Sequence, residues 1–317
     1  MRKTALMIVL LALAAGSMKA EKVVAIKYGD FENWVTRNIK ESAVIGGATK
    51  KVYEIAPNAT INGDKAYSNM GGSLWATSNV MAKVVGVTKC SNAVFPDSHG
   101  GGRCAKLTTL LEHVKAVGII NMDVLVSGSI FLGKMLEPVS STKNPYSKFE
   151  MGVPFTQTPK FLQFDYRLVA PNGAPVYSSG FGSKKTLSGR DNAEVFVLLQ
   201  RRWEDAKGNI HAERVGTGRE RFGKTTLGWV NKHRIPIWYG DITKHAGYKS
   251  FMGLITKAHS YYARNSKGKM VPVIEEKWAP AGTKPTHVML MASSGCGDAY
   301  TGTVGMSFWV DNFAWVY

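Results

Sequence analysis

The stretch FLQFDYRL, residues Phe161–Leu168, decides the class of fold. Its apolar side chains recur at every second position, and successive side chains of a β-strand point to opposite faces of a sheet. The sequence Pro171-Asn172-Gly173 that follows is typical of a turn. The stretch therefore predicts a strand with one apolar face and one solvent-facing polar side. The apolar face carries Leu162, Phe164, Tyr166 and Leu168, and the polar side carries Gln163, Asp165 and Arg167.

Other short segments predict further strands. Glu194–Leu199 is apolar on both faces, as is typical of a central strand in a β-sandwich. Lys207–Asn209 predicts a hairpin turn before a strand over Ile210–Val215. Two more strands are predicted near the C-terminus, over His287–Ala292 and Thr303–Tyr317. The alternation of the last strand changes phase near Asp311, which indicates a β-bulge.

Two stretches have helical spacing of their apolar residues, and each is short enough to be at most a brief helix or turn within a β fold. They are the stretch with Leu107, Leu110, Leu111 and Val114 and the stretch with Phe251, Leu254, Ile255 and Ala258. No repeat, linker or shift in composition marks a domain boundary. We therefore expect an all-β protein whose residues 21–317 form a single domain.

The first twenty residues have the pattern of a secretory signal peptide. Arg2 and Lys3 precede the apolar run Ala5–Ala15, which is shorter than the roughly 20 residues that span a bilayer. Cleavage could follow Ala20 or the small residues at 14–16. We expect the protein to be exported to the periplasm, the cell surface or the medium, without a transmembrane segment in its mature form.

The chain is strongly basic, with a formal net charge of +17 over 317 residues. Removal of residues 1–20 takes away only three of its positive charges. Such an excess attracts polyanions, among them nucleic acid, anionic lipid and acidic polysaccharide. Export favours the polysaccharide and argues against nucleic acid. Because the positive residues are scattered along the chain, an ordinary solvated surface remains the alternative.

Three cysteines allow at most one disulfide bond. Cys90 and Cys104 bracket a loop-like stretch with Pro96 and three consecutive glycines, and a bond between them would stabilise the fold by about 3 kcal/mol. We expect this pair, with two free buried thiols as the alternative. Cys296 is then left over, as a small packed residue rather than a nucleophile.

Several motifs resemble one known family, the putative carbohydrate metabolism domain. SSGCGDAYTG at 293–302 and FWVDNF at 308–313 carry the resemblance, and GVPFT at 152–156, CAKL at 104–107 and LWATSN at 74–79 extend it. Only Cys296 departs from the pattern, where a serine or another polar residue is expected. The resemblance covers residues 74–317 and implies an exported glycan-related protein of Gram-negative bacteria. It also implies a jelly-roll β-sandwich similar to carbohydrate-binding modules.

A weaker similarity lies at the start of the mature chain. DFENW, residues 30–34, looks like the opening strand of jelly-roll carbohydrate-binding modules, in which an acidic residue there and an aspartate of the last strand often hold a structural calcium. The matching positions here are Glu32 and Asp311. Calcium takes six to eight oxygen ligands, so backbone carbonyls would also be needed. The alternatives are a surface glutamate and a turn-capping aspartate.

Sugar recognition needs flat aromatic faces beside a few polar groups. Trp75, Trp229 and Trp278 have polar or glycine neighbours rather than a strand pattern, so we expect them to be exposed and to bind carbohydrate. A large aromatic ring is more often part of the core, and that reading stays open for each.

Hydrolysis of a glycosidic bond needs two carboxyl groups about 5–10 Å apart. Asp165, Glu194 and Glu275, next to Glu276, are the available candidates, and a structural or solvated role is the alternative for each. No zinc-protease, nucleophile-elbow or phosphate-loop motif is present in the sequence.

Together these features favour an exported carbohydrate-recognition protein. Its expected partner is a polysaccharide or other glycan, and the basic charge of the chain would also suit an acidic glycan. The first alternative is a glycoside hydrolase that uses a carboxylate pair. The second is a structural or adhesive component of a surface assembly.

Overall fold

The structure is a computed structural model, and it describes residues 21–116, 120–141, 144–180 and 183–317. The expected signal peptide, residues 1–20, lies outside the described residues. Short 3-10 turns occur at Ala43–Ile45, Pro145–Lys148, Ser250–Met252 and Lys257–His259. The remaining regular structure of these ranges is β-strand, which confirms the all-β prediction.

The strands, numbered in chain order, are β1 Val23–Ala25, β2 Trp34–Lys40, β3 Thr49–Ile55, β4 Ala59–Asn62, β5 Trp75–Thr77, β6 Val80–Val84, β7 Val87–Ser91, β8 Val94–His99, β9 Gly102–Ala116, β10 Ile120–Ser127, β11 Ser129–Met135, β12 Phe149–Met151, β13 Val153–Pro154, β14 Phe161–Val169, β15 Val176–Ser178, β16 Lys185–Leu187, β17 Ala193–Glu204, β18 Ile210–Phe222, β19 Val230–Pro236, β20 Trp238–Tyr239, β21 Tyr262–Arg264, β22 Met270–Trp278, β23 His287–Ser293, β24 Thr301–Gly302 and β25 Ser307–Val316.

Two large sheets form the body of the protein. One has the order β10-β9-β25-β14-β19, with β1 beside β25 and β8 beside β9. The other runs β13-β23-β17-β18-β22-β21-β12-β11-β5, with β20 beside β18, and it closes on itself because β11 also pairs with β23. Apolar side chains of both sheets meet in one buried cluster, the sandwich core, as in a β-sandwich. The jelly-roll strand order implied by the family resemblance stays a prediction.

The position of strand β17 between two buried clusters explains why its sequence is apolar on both faces. Val195 and Val197 point into the sandwich core, whereas Phe196 and Leu198 point into a second buried cluster on the other side of the sheet, the back core. The back core also contains Phe131, Met151, Ile255 and Met289. The hairpin expected after this strand is present, because β17 pairs antiparallel with β18 from Ala193↔Phe222 to Glu204↔Ile210. A central strand with two covered faces, as predicted, is therefore confirmed.

Strand β14 forms where its alternation predicts, and of its polar side chains Arg167 is exposed whereas Gln163 and Asp165 are covered. Asp165 is buried and accepts hydrogen bonds from the Lys232 backbone N–H at 2.6 Å and from Asn312 Nδ2 at 2.8 Å. Gln163 is also buried and accepts from Arg234 Nε at 3.0 Å. The prediction of a solvent-facing position was therefore wrong for Gln163 and Asp165, because the neighbouring strands β19 and β25 supply polar partners for both side chains, and it holds for Arg167.

The predicted bulge in the last strand is confirmed. Gln163 pairs with Ala314 and Asp165 pairs with Asp311, so β25 carries one extra residue between these pairs. Asn312 lies within that interval and adopts a positive φ of 54°. Neither helix-spaced stretch forms an α-helix. Leu107 lies in the long strand β9 and packs in the sandwich core, and the stretch after Ser250 contains only the two 3-10 turns.

The predicted disulfide bond is absent, since Cys90 and Cys104 are both free and buried. Cys90 lies on β7 and packs against Ile39, Val52 and Met81, whereas Cys104 lies on β9 opposite Asp97. The pKa of each thiol is raised to about 12, mainly by burial. Each cysteine is therefore a small packed residue in its own strand. Among the described residues, no helix has the length and apolar character to cross a bilayer.

A charged cluster is buried beside the small sheet formed by β2, β3 and β4. Arg37, only 1% exposed, forms ion pairs with Glu54 at 2.9 Å and with Glu137 at 2.6 Å. One guanidinium therefore faces two carboxyl groups, and ionisation of both leaves an excess negative charge in the interior. Burial raises the pKa of Glu54 to about 8.

This pKa predicts a stability that falls as the pH rises. Glu54 binds its proton more tightly in the folded chain than in the unfolded chain, where its pKa is near 4.5. Its contribution is therefore complete below pH 4.5 and is lost as the pH approaches 8. The free energy of unfolding of the native protein should therefore fall by on the order of 2–4 kcal/mol across this range. We expect Glu54→Gln to remove this fall, as measured by unfolding in urea at a series of pH values. An unchanged pH dependence in Glu54→Gln, equal to that of the exposed control Glu21→Gln, would contradict this.

Gly128 lies where the chain passes from β10 in one sheet to β11 in the other. A Cβ there would lie 2.1 Å from the Ala93 carbonyl oxygen and 2.7 Å from the Thr108 backbone nitrogen, and neither atom belongs to a flexible side chain. We expect Gly128→Ala to destabilise the protein by about 1–3 kcal/mol. Gly228→Ala is the control, because a Cβ there meets nothing within 4 Å. Equal melting temperatures for the two variants would show that the crossing tolerates a side chain.

Candidate functional site

A cavity of about 740 Å³ opens on the side of β17 that carries the back core. Its walls come from β6, β7 and β10, from the start of β17 and end of β18, and from the chain segments 250–261 and 293–301. Cavities of this size accommodate small ligands. The apolar part of the wall includes Val80, Ala82, Val84, Val87, Met122, Val124, Val126 and Val139.

One buried carboxylate, Glu194, organises the polar part of the wall. Its Oε1 accepts hydrogen bonds from Nε of Arg219 at 3.0 Å and from Nε of Arg221 at 2.6 Å, and its Oε2 accepts from Nη2 of Arg219 at 2.8 Å. The pairing of β17 with β18 sets this arrangement, because Glu194 pairs with Arg221 and Phe196 with Arg219. Directly opposite and diagonal side chains on one face of a sheet lie within reach of each other.

The two arginines are held differently. Arg219 also donates from Nη1 to the Phe251 carbonyl oxygen at 2.7 Å. Burial lowers the pKa of this guanidinium, but the contact with Glu194 outweighs burial, and the net change in pKa is upward. Arg221 is more exposed, and its guanidinium lies 4.3 Å from the centre of the Phe251 ring. Both guanidinium groups lie at the wall of the cavity.

Three tyrosines line the cavity near these charges, Tyr146, Tyr261 and Tyr300. The rings of Tyr146 and Tyr261 meet edge to face, with centroids 6.0 Å apart. Burial raises the pKa of all three hydroxyls, to about 12 for Tyr146 and Tyr300. These side chains therefore present neutral hydroxyls and aromatic rings to the cavity.

The segment 293–301 closes the cavity on one side. Thr109 Oγ1 lies 2.9 Å from Ser294 Oγ, and Asp191 accepts hydrogen bonds from the backbone N–H groups of Cys296 at 3.1 Å and Thr303 at 3.0 Å. Cys296 lines the cavity, and burial raises the pKa of its thiol. These bonds fix the backbone of the segment independently of any ligand.

Two segments that line the cavity are linked by a contact between exposed side chains. His259 Nδ1 lies 2.9 Å from Asp298 Oδ1, and both residues line the cavity. The pair links the 3-10 turn Lys257–His259 to the segment 293–301. Exposed pairs of this kind contribute little stability, so the link can break at low cost.

Among the acids that the sequence singles out, only Glu194 lines this cavity. Asp165 is buried on β14 and accepts hydrogen bonds from Lys232 and Asn312, as described above. Glu275 is buried with Arg214, which donates to Oε1 from Nε at 2.6 Å and contacts Oε2 through Nη2, and Oε2 also accepts from the Ile255 backbone N–H. The three acids are therefore not brought together.

The three tryptophans are not brought to one face either. Trp75 is 1% exposed and packs edge to face against Phe31 and Phe313, so the prediction of an exposed ring was wrong. Trp229 is partly buried and stacks on His99 at 3.7 Å between ring centres. Trp278 is partly buried near the Arg214 guanidinium. None of the three lines the cavity, and sugar binding at Trp229 or Trp278 stays a prediction.

The residues expected to hold calcium have protein partners instead. Glu32 Oε1 accepts from the Arg103 backbone N–H at 3.0 Å, and Asp311 Oδ2 lies 2.6 Å from His99 Nδ1. Within the described ranges no group of three or more His, Cys, Asp or Glu side chains could hold a metal ion. The strand β2 begins only at Trp34, so residues 30–33 precede it. Calcium binding at Glu32 and Asp311, completed by backbone carbonyls, stays a prediction.

Arg219, Arg221 and the three tyrosines are site residues that the sequence did not single out. The first two lie in a run of charged residues, and their role depends on which β18 residues face Glu194. A hairpin register counted from the turn at Lys207–Asn209 would have been the available signal, but a register shift between Leu199 and Gln200 defeats the simple count.

The solved structures that are similar to this chain include two from Bacteroides species. One is described as a putative glycoside hydrolase from Bacteroides thetaiotaomicron, with 15% identity, a TM-score of 0.45, and coverage of 86% of this chain and 81% of that one. The other is described as a putative glycoside hydrolase from Bacteroides vulgatus, with 12% identity, a TM-score of 0.41, and coverage of 92% and 94%. At these values neither likeness carries an inference.

Comparison with curated proteins finds no match. The family comparison gives a clear result, because a family model matches residues 30–316, nearly the whole chain. This confirms the resemblance carried by the motifs at 293–302 and 308–313. The chain belongs to the putative carbohydrate metabolism domain family.

Proposed function

We propose that this protein recognises carbohydrate and that a glycan binds in the cavity beside Glu194. The observation that carries the proposal is the position of the 293–302 motif. The segment that most clearly marks the family forms one wall of the cavity, from Ser293 to Thr301. A carbohydrate-related family therefore has its most recognisable segment at a concave site of about 740 Å³.

The chemistry of the wall suits a sugar ring. Aromatic rings contact the apolar faces of sugars, and hydroxyl and guanidinium groups bond to their hydroxyls. Tyr146, Tyr261 and Tyr300 supply rings and neutral hydroxyls, and Arg219 and Arg221 supply donors.

The state of Glu194 favours binding over hydrolysis. A glycosidase needs one carboxylic acid that can protonate the leaving oxygen and a second carboxylate across the bond. Both oxygens of Glu194 already accept from guanidinium donors. This carboxylate is therefore placed to hold two cations rather than to deliver a proton.

Export and an acidic partner belong to the same proposal. The charged start and apolar run of residues 1–20 support export to the periplasm, the cell surface or the medium. The net charge of +17 supports an acidic glycan as partner.

The proposal predicts glycan binding that depends on the tyrosines of the cavity. We expect the purified protein to bind members of a glycan array, and Tyr146→Ala to weaken the best binding by roughly 5- to 30-fold, because a packed aromatic contact is removed from the ligand. Titration calorimetry measures the change. The control is Trp203→Ala, which removes an aromatic ring that is 40% exposed and lies outside the cavity wall. Binding to no glycan, or equal losses in both variants, would contradict the proposal.

A hydrolase remains the second candidate, because Glu194 and Asp298 line the same cavity. The recognition proposal predicts that a bound glycan is recovered intact, with no release of reducing ends. Turnover that is lost in Asp298→Asn but retained in the surface control Asp205→Asn would establish the hydrolase instead. Stable capture of a protein partner, with no glycan bound, would favour a structural or adhesive component.

A further inference from the structure

We propose that Arg221 forms an anion subsite within the cavity, which binds the carboxylate or sulfate group of an acidic glycan. This inference rests on the proposed function and adds to it the chemical class of the ligand and the residue that selects it. The net charge of the whole chain does not locate a binding site for an anion. The local balance of charge and hydrogen bonds around Glu194 does locate one.

The cluster at the polar wall has one more positive charge than negative. Glu194 is a single carboxylate, and it neutralises only one of the two guanidinium groups that contact it. Burial of an uncompensated cation is unfavourable, so such a group has a strong preference for an anionic partner. The surplus charge faces the cavity, because both arginines line it.

Arg219 is less suited to this role, since each of its three nitrogens already donates a hydrogen bond within the protein. It contacts both oxygens of Glu194 through Nε and Nη2, and its Nη1 donates to the Phe251 carbonyl oxygen. The role of Arg219 is therefore to hold Glu194 and the segment at Phe251 in position.

Arg221 is engaged only through Nε, which donates to Glu194 Oε1 at 2.6 Å. Neither terminal nitrogen of this guanidinium has a hydrogen-bond partner among the residues that the structure describes. Its side chain is 29% exposed, so a ligand in the cavity can reach it. The Phe251 ring packs on the guanidinium and helps to fix its plane.

The other acids around the cavity have partners elsewhere. Asp298 pairs with His259, and Glu112 lies 3.5 Å from Lys89. Asp191 accepts from the backbone N–H groups of Cys296 and Thr303. Among the described residues, none of these three acids forms a hydrogen bond or ion pair with Arg221, so its terminal nitrogens stay open to a ligand.

The geometry also indicates the kind of anion. A guanidinium donates two parallel hydrogen bonds to a planar carboxylate or to two oxygens of a sulfate, which a single ammonium cannot do. A uronate carboxylate and a sulfate ester share this chemistry. Both occur as substituents on sugar rings, so the neighbouring tyrosines can contact the ring that carries the anion.

The test compares glycans that differ only in charge. Titration calorimetry of the protein with oligogalacturonate and with its methyl ester isolates a carboxylate, and carrageenan oligosaccharide with its desulfated form isolates a sulfate. We expect at least one charged member to bind tenfold or more tightly than its neutral partner. Arg221→Gln should remove most of that preference, because a charge-assisted pair is lost, and should weaken binding of the charged member by a larger factor than binding of the neutral member.

Two further variants separate the subsite from general charge and from folding. Arg221→Lys keeps the charge but loses the paired donors, so we expect it to restore only part of the preference. Arg201→Gln is the control, since Arg201 is an exposed arginine on β17 that pairs with Glu213 outside the cavity wall. Arg219 still neutralises Glu194 in each Arg221 variant, so folding should persist, and the thermal melting curve checks it.

The outcomes distinguish the two proposals. Equal binding of charged and neutral glycans by the native protein, or an equal loss of charge preference in Arg221→Gln and Arg201→Gln, overturns the anion subsite while glycan recognition stands. Both proposals are overturned if the protein binds none of the four probes and no member of the glycan array. Selective loss of the charge preference in Arg221→Gln supports the subsite, and the probe pair that shows it identifies carboxylate or sulfate.

Discussion

The antiparallel register between β17 and β18 is the constraint on which the rest of the site depends. It places Glu194 opposite Arg221 and two pairs away from Arg219, so that one carboxylate holds two guanidinium groups on the same face. The alternate side chains of β17, Val195 and Val197, anchor the same register in the sandwich core. A slip by one residue would exchange these two sets of side chains, placing the charged group in the apolar core. Packing and charge therefore specify the same pairing.

Strand β17 also separates two interiors with different roles. The sandwich core is fully packed and joins the two large sheets, whereas the side of β17 that carries the back core continues into an open cavity. The closure of the larger sheet through β11 and β23 brings the segment after β23 to the edge of this cavity. Asp191 then fixes that segment through backbone N–H groups. The family motif at 293–302 is in this way a structural part of the wall.

Much of the fold could be predicted from local pattern, but little of the site could be. The two-sided burial of Glu194–Leu199 and the bulge near Asp311 follow from alternation, which each strand carries in its own sequence. Trp75 was misjudged because Phe31 and Phe313, which cover its ring, are distant in the chain. The burial of Asp165 on β14 was missed for a similar reason, since its hydrogen-bond donors Lys232 and Asn312 are also distant in the chain. Residue types near an aromatic or an acid do not reveal what packs on it from elsewhere.

The central claim is that the cavity beside Glu194 is where a glycan binds. A crystal structure of the protein with a bound oligosaccharide tests it. We predict a sugar ring against Tyr146 and Tyr261, with any carboxylate or sulfate group within hydrogen-bond distance of the Arg221 terminal nitrogens. A sugar bound only on the outer surface, at Trp229, Trp278 or elsewhere, with the cavity holding solvent, would contradict the claim.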